Sequence, residues 1–85
     1  MQEFSYTIKD ELGIHARPAG LLVKQASPFK SVISVDTGAK KADAKKIMAL
    51  MGAGVKKGTT VTVSAEGPDE EEAIEVLKKF FEENL

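Results

Sequence analysis

His15 is the only histidine in the chain, and it lies in the string Gly13-Ile14-His15-Ala16-Arg17-Pro18-Ala19. Gly13 interrupts the pattern that precedes it. Pro18 fits the first turn of a helix, where its missing N–H would lack an intrahelical partner in any case. An imidazole at such a helix start faces free backbone N–H groups and the positive end of the helix dipole. That field favours the neutral, nucleophilic ring over imidazolium, and it attracts any anion that becomes attached to the ring. Arg17 adds a planar guanidinium suited to gripping phosphate oxygens. Together these residues describe a site able to carry a phosphoryl group. There is no second histidine for a relay, no glycine-rich phosphate loop for a nucleotide, and no residue placed as a general base for water. Metal binding through His15 would need carboxylates gathered around it. Its neighbours are small or basic, with Asp10 and Glu11 the nearest acids in sequence, so neither a metal nor a cofactor is expected.

The elements that must position this string can be read from periodicity. Phe4, Tyr6 and Ile8 alternate with Ser5 and Thr7, the period of a half-buried strand, and Asp10-Glu11-Leu12-Gly13 turns the chain into the His15 loop. A helix is predicted over 16–26. At about 100° per residue, Ala16, Ala19, Leu22, Val23 and Ala26 share the core side. Arg17, Gly20, Leu21 and Lys24 form a separate stripe on the His15 side, which makes them candidate contact residues for a partner, together with Ala16 beside His15. Ser27-Pro28 ends the helix. A second strand is expected over 31–36, with Ile33 and Val35 on its apolar face. A hairpin turn at Thr37-Gly38-Ala39 should lead to a short, lysine-guarded edge strand at 40–42.

A short second helix is predicted over 43–52, capped by Asp43. So small a helix cannot bury Ile47, Met48, Leu50 and Met51 together. Leu50 is expected inward, with Met48 and Met51 at least partly outward. Ile47, Met48 and Met51 could then extend the Arg17 stripe as an adaptable apolar patch. The longest strand follows at 59–66, and Pro68 leads into a last helix whose buried face holds Ala73, Ile74, Leu77, Phe80 and Phe81. Asp69 and Glu72 have the spacing of a capping box. The acidic run Asp69–Glu72 reads as a solvated helix start that complements the dipole.

The chain has 85 residues, 42% hydrophobic and 29% charged, with 12 Lys and Arg against 13 Asp and Glu and no cysteine. This size and composition fit one domain, with about 60–65% of the unfolded surface buried, and the order of predicted strands and helices makes it α+β. A net charge of −1 argues against general nucleic-acid binding. The absence of an apolar run near membrane-spanning length, or of a signal peptide, leads to the expectation of a cytoplasmic location, and a monomer is expected.

The order βαββαβα fits a ferredoxin-like two-layer arrangement as well as a related open-faced sandwich, and periodicity does not separate the two. The string Gly13–Ala19 resembles the active-site signature of the histidine-containing phosphocarrier proteins, HPr, of the bacterial phosphoenolpyruvate:sugar phosphotransferase system. Lys45-Lys46-Ile47-Met48-Ala49-Leu50-Met51 resembles that family's second helix, and Val63-Ser64-Ala65-Glu66-Gly67 the end of its last strand. The resemblance runs over nearly the whole chain. It implies an open-faced β-sandwich, a four-stranded antiparallel sheet in the order 1-4-2-3 covered on one face by three helices. It also implies that His15, through Nδ1, takes a phosphoryl group from enzyme I and passes it to sugar-specific acceptor domains. A carrier of a nitrogen-related or dihydroxyacetone-kinase branch, or a regulatory relative carrying little flux, would share most of these features. Many Gram-positive members begin the second helix with a serine that an ATP-dependent kinase phosphorylates. Here that position is Lys46, and no Ser, Thr or Tyr occurs from Gly38 to Gly58.

Overall fold

Alternation of apolar and hydroxyl side chains builds the sheet, and the computed structural model describes it within residues 1–11, 13–14 and 16–85. The element order is β1 (Gln2–Thr7), α1 (Ala16–Ala26), β2 (Val32–Asp36), β3 (Lys41–Asp43), α2 (Ile47–Gly52), β4 (Thr60–Glu66) and α3 (Glu70–Asn84). The four strands form one sheet in the order β1-β4-β2-β3, and every neighbouring pair is antiparallel. This is the open-faced sandwich. Of its two interior strands, β4 places Val61, Val63 and Ala65 beneath the helices, with Phe4 and Tyr6 of β1 opposite Val63 and Val61. Ile33 and Val35 of β2 flank the same strand opposite Ala65 and Val63. The other face of the sheet is mostly polar, with Val32 exposed on it. There the Thr7 and Thr60 hydroxyls lie 2.9 Å apart, and Ser5 and Thr62 form a second pair.

The helices bury the apolar side that their spacing prescribes. Ala19, Leu22 and Ala26 of α1, Leu50 of α2 and Ala73, Leu77, Phe80 and Phe81 of α3 all enter the core. Phe81 joins the layers, meeting the rings of Phe4 and Tyr6 edge-on with centroids 5.7 Å away in each case. Such contacts add about 0.5–1.5 kcal/mol per pair beyond the burial itself. Val23 and Ile74, also expected in the core, are partly buried against it. Among the described residues, no helix is long and apolar enough to cross a membrane.

Two expected caps are replaced by other contacts. The second helix starts at Ile47, not at Asp43. Asp43 is still paired in the sheet opposite Ser34, and the Ala44 N–H donates to the Ile33 carbonyl at 2.9 Å, so the chain stays extended there. The Asp43 carboxylate accepts from the Lys45 N–H at 2.9 Å, and Lys46 takes the N-cap position without a side-chain cap. Asp69 likewise occupies the N-cap position of α3 but makes no side-chain cap, so the capping box with Glu72 does not form. Its carboxylate accepts instead from the Lys30 N–H at 2.8 Å, the Ser31 N–H at 3.0 Å and the Ser31 hydroxyl. A long-range tie between α3 and the start of β2 thus takes the place of a local cap. The Ser31 hydroxyl chiefly, and then the Lys30 N–H, hold the Asp69 carboxyl below its ordinary range.

The first helix has the expected bounds, 16–26, and β2, β3 and β4 each differ from theirs by a residue. The tight turn is as expected, with the Thr37 N–H donating to the Lys40 carbonyl at 2.9 Å and Gly38 at φ +91°.

Candidate functional site

The backbone leading to the site is held by several hydrogen bonds. Ile8 exchanges two with the segment after α2, donating to the Thr59 carbonyl at 2.9 Å and accepting from the Gly58 N–H at 2.8 Å. The N–H groups of Lys9 and Asp10 both donate to the Leu85 carbonyl, at 2.6 and 2.9 Å. The Gly13 N–H donates to the Asp10 carbonyl at 3.0 Å, and the Ile14 N–H to the Val55 carbonyl at 3.2 Å. Ile14 and Val55 are themselves buried. His15, the expected phosphoryl acceptor, and Leu12 lie outside the described residues. Ala16 opens α1, and its side chain also lies outside the description.

Arg17 and Pro18 follow in the first turn of α1. Pro18 is buried and Arg17 exposed, an arrangement that leaves the guanidinium free to meet a ligand while the ring packs inward. Both line a depression of about 250 Å³ whose other walls are Asp10, Leu21 and Asn84. Asp10 was weighed in the sequence only as a neighbouring acid, and Asn84 was not singled out at all. No local pattern marks Asn84. It comes beside Arg17 because Leu85 pairs with the backbone at Lys9 and Asp10, which swings the end of α3 under the loop. The amide of Asn84 donates to the Phe80 carbonyl at 3.0 Å.

The expected contact stripe lies on the surface of α1: Arg17, Leu21 and Lys24 are exposed and Gly20 is half-buried. Gly20 is the point of approach to α2. A Cβ built on it would sit 3.6 Å from Ile47 Cδ1, ordinary van der Waals contact, so the two helices touch along this stripe. On α2, Leu50 is fully buried, whereas Met48 is 77% exposed and Met51 43%. With Ile47 at 39% and Leu21 at 42%, they make up most of the large apolar side chains left exposed among the described residues. The structure therefore brings the α1 and α2 candidates onto one surface, with Arg17, Lys24 and Lys46 exposed on the same two helices. Lys45 is turned to a structural task, its amine donating to the Phe29 carbonyl at 2.6 Å. Lys46 stands exposed at the N-cap of α2. The chemistry available is that of a basic helix start beside an adaptable apolar surface, which suits anion transfer within a protein–protein complex.

Comparison with known proteins agrees with this geometry. The family model for the PTS HPr component phosphorylation site matches residues 2–83. The phosphocarrier protein HPr of Mycoplasma capricolum is 42% identical over 79 residues, covering 93% of this chain and 89% of its own. That of Lysinibacillus sphaericus is 47% identical over 77 residues, covering 91% and 88%. Among solved structures, HPr-C-His from Thermoanaerobacter tengcongensis superposes with a TM-score of 0.91 at 50% identity, covering 96% of this chain and 92% of that one. On the fold, the surface and these matches together, the chain belongs to the HPr family of phosphocarrier proteins of the phosphotransferase system.

Proposed function

We propose that this chain, acting as a single copy, accepts a phosphoryl group on His15 from the phosphohistidine of enzyme I and delivers it to a histidine of a sugar-specific acceptor domain. In each step one P–N bond breaks as another forms, and the phosphoryl group passes between imidazoles without entering water. The observation that carries the reading is the exposed Arg17 in the first turn of α1, on the helix that directly follows His15 and on the surface shared with Met48 and Met51. Arg17 would hold the phosphoryl oxygens by charge-assisted hydrogen bonds. The helix start would favour the same negative charge.

Transfer in both directions asks for moderate stabilisation, because a site that bound its phosphoryl group too tightly would not release it. An open, solvent-facing arginine meets that requirement better than an enclosed anion pocket would. Leu21, Ile47, Met48 and Met51 would form the apolar centre of the docking surface, beside Ala16 and Gly20. Arg17, Lys24 and Lys46 would form its basic rim, complementary to acidic partners.

The test is incubation with phosphoenolpyruvate and enzyme I, read by intact mass. One phosphoryl group is expected, labile in acid and stable in alkali as a phosphoramidate is, and absent from a folded His15→Ala variant. Continued phosphorylation of that variant would remove His15 from the proposal.

A further inference from the structure

Gly13 stands two residues before the proposed acceptor, in the left-handed region at φ +63°. Its surroundings exclude a side chain: a Cβ built there would lie 2.2 Å from the Val55 carbonyl oxygen and 2.7 Å from Lys56 Cα. Both atoms belong to backbone, so no rotamer change can make room. The next residue, Ile14, donates its N–H to the same Val55 carbonyl at 3.2 Å, and Ile14 and Val55 are 4% and 3% exposed. Val55 is reached from α2 through Gly54, whose N–H donates to the Met51 carbonyl at 3.4 Å. The Val55 carbonyl thus meets the loop that precedes residue 15, and Gly54 joins Val55 to the helix bearing Met48 and Met51.

We propose that Gly13 and the Val55 main chain form a positioning clamp, which sets the backbone entering the phosphorylation site at a fixed place relative to the α2 docking surface. This rests on the carrier function proposed for His15 and deepens it. Docking on α2 brings a partner's phosphohistidine to one location, and in-line transfer succeeds only if the acceptor ring is presented there. A misplacement of about 1 Å in such a step is enough to slow it by about a hundredfold. Gly13 and Val55 touch no phosphoryl atom in this scheme. They act through the geometry of the residue between Ile14 and Ala16.

Gly13→Ala tests the clamp. Real Cβ contacts essentially never fall under 3.0 Å, so the loop must withdraw from Val55 by at least 0.8 Å. Gly38→Ala is the control. Gly38 also has positive φ, at +91°, but nothing lies within 4 Å of a Cβ there, so it reproduces the backbone strain without the collision. Single-turnover phosphorylation of the full chain by phosphorylated enzyme I, followed over a range of enzyme I concentrations, separates docking from transfer. For folded Gly13→Ala, the half-saturating concentration should stay within about twofold while the limiting rate falls by about ten- to a hundredfold. The His15 imidazole NMR titration should move as well, whereas Gly38→Ala should leave all three measurements unchanged.

An unaltered limiting rate and titration in folded Gly13→Ala would overturn the clamp, as would an equal loss in Gly38→Ala. Should Gly13→Ala fail to fold, amide exchange in the unmodified chain decides: slowed exchange of the Ile14 N–H supports the clamp, and exchange at the rate of an open peptide overturns it. If the unmodified chain takes no phosphate, the carrier reading falls, and the imidazole titration still decides the clamp by itself.

Discussion

Met48→Glu separates docking from folding on a single helix. Met48 is 77% exposed, so folding takes only about a quarter of it out of water. Full burial of such a side chain contributes about 1.5–3 kcal/mol, and the folded state therefore loses about 0.3–0.7 kcal/mol. Position 48 also lies in the first turn of α2, where a carboxylate gains about 0.3–1 kcal/mol from the helix dipole. The two effects oppose each other, and the net change in stability should stay within about 0.7 kcal/mol. In the complex the balance is different. A partner covering the remaining three quarters of Met48 would gain about 1–2 kcal/mol, which the substitution forfeits. At about 1.4 kcal/mol per factor of ten, that alone weakens binding about 5- to 30-fold. A carboxylate facing an acidic partner surface weakens it further. Titration of the variant into enzyme I, by calorimetry or by amide shifts, should show at least a tenfold rise in Kd, with a urea midpoint close to the parent's. An unchanged Kd in a folded variant would refute the assignment of this surface. A loss of more than about 1 kcal/mol of stability would instead show Met48 to be part of the core.

Other substitutions probe different links of the same chain of reasoning. Leu50 is the fully buried residue of α2, so Leu50→Ala should cost about 2–5 kcal/mol in urea unfolding, a large share of the roughly 4–13 kcal/mol typical of a chain this long. A loss below about 1 kcal/mol would mean that α2 is not anchored through it. Asp69, its pKa lowered by the Ser31 hydroxyl and the Lys30 N–H, lends stability that is complete above the ordinary carboxylate range. That contribution drains away as pH falls through the lowered value. Asp69→Asn and Ser31→Ala should each flatten the acid limb of stability against pH, and a limb as steep as the parent's would count against the tie. At Lys46, incubation with ATP and an active HPr kinase should leave no acid-stable phosphate on the chain, and Lys46→Ser should restore one. Acid-stable phosphate on the unmodified chain would contradict the expected loss of seryl regulation.

Much of this protein was legible in the order of its residues. Alternation marked the strands because neighbouring side chains of a strand point to opposite faces, and Phe4, Tyr6, Val61 and Val63 face the helices as that period requires. Angular arithmetic separated Leu22 from Leu21 on α1. The shortness of the second helix, expected over 43–52, pointed to Leu50 inward and Met48 at least partly outward, and both are found so on the six-residue helix observed. The order of the strands was not legible in the same way. Hydrogen bonding across a sheet leaves no period in sequence, so 1-4-2-3 rested on family resemblance until the pairing of β4 with both β1 and β2 was seen.

What only the tertiary structure decided lies in contacts between distant segments. A capping box is a local pattern, and local reading assigned Asp69 to Glu72. The folded chain offered Asp69 three donors at Lys30 and Ser31 instead, and these replaced the local cap. Asp43 was kept from capping α2 by its pairing with β2, another partner that sequence spacing does not reveal. The same holds at the site. The nature of His15 and Arg17 is written in the string itself, because the chemistry belongs to the side chains. That Asn84 borders Arg17 and that Val55 closes against Gly13 depend on backbone hydrogen bonds spanning some forty residues or more. The sequence determined which groups could carry phosphate, and the packing of remote backbone determined what surrounds them.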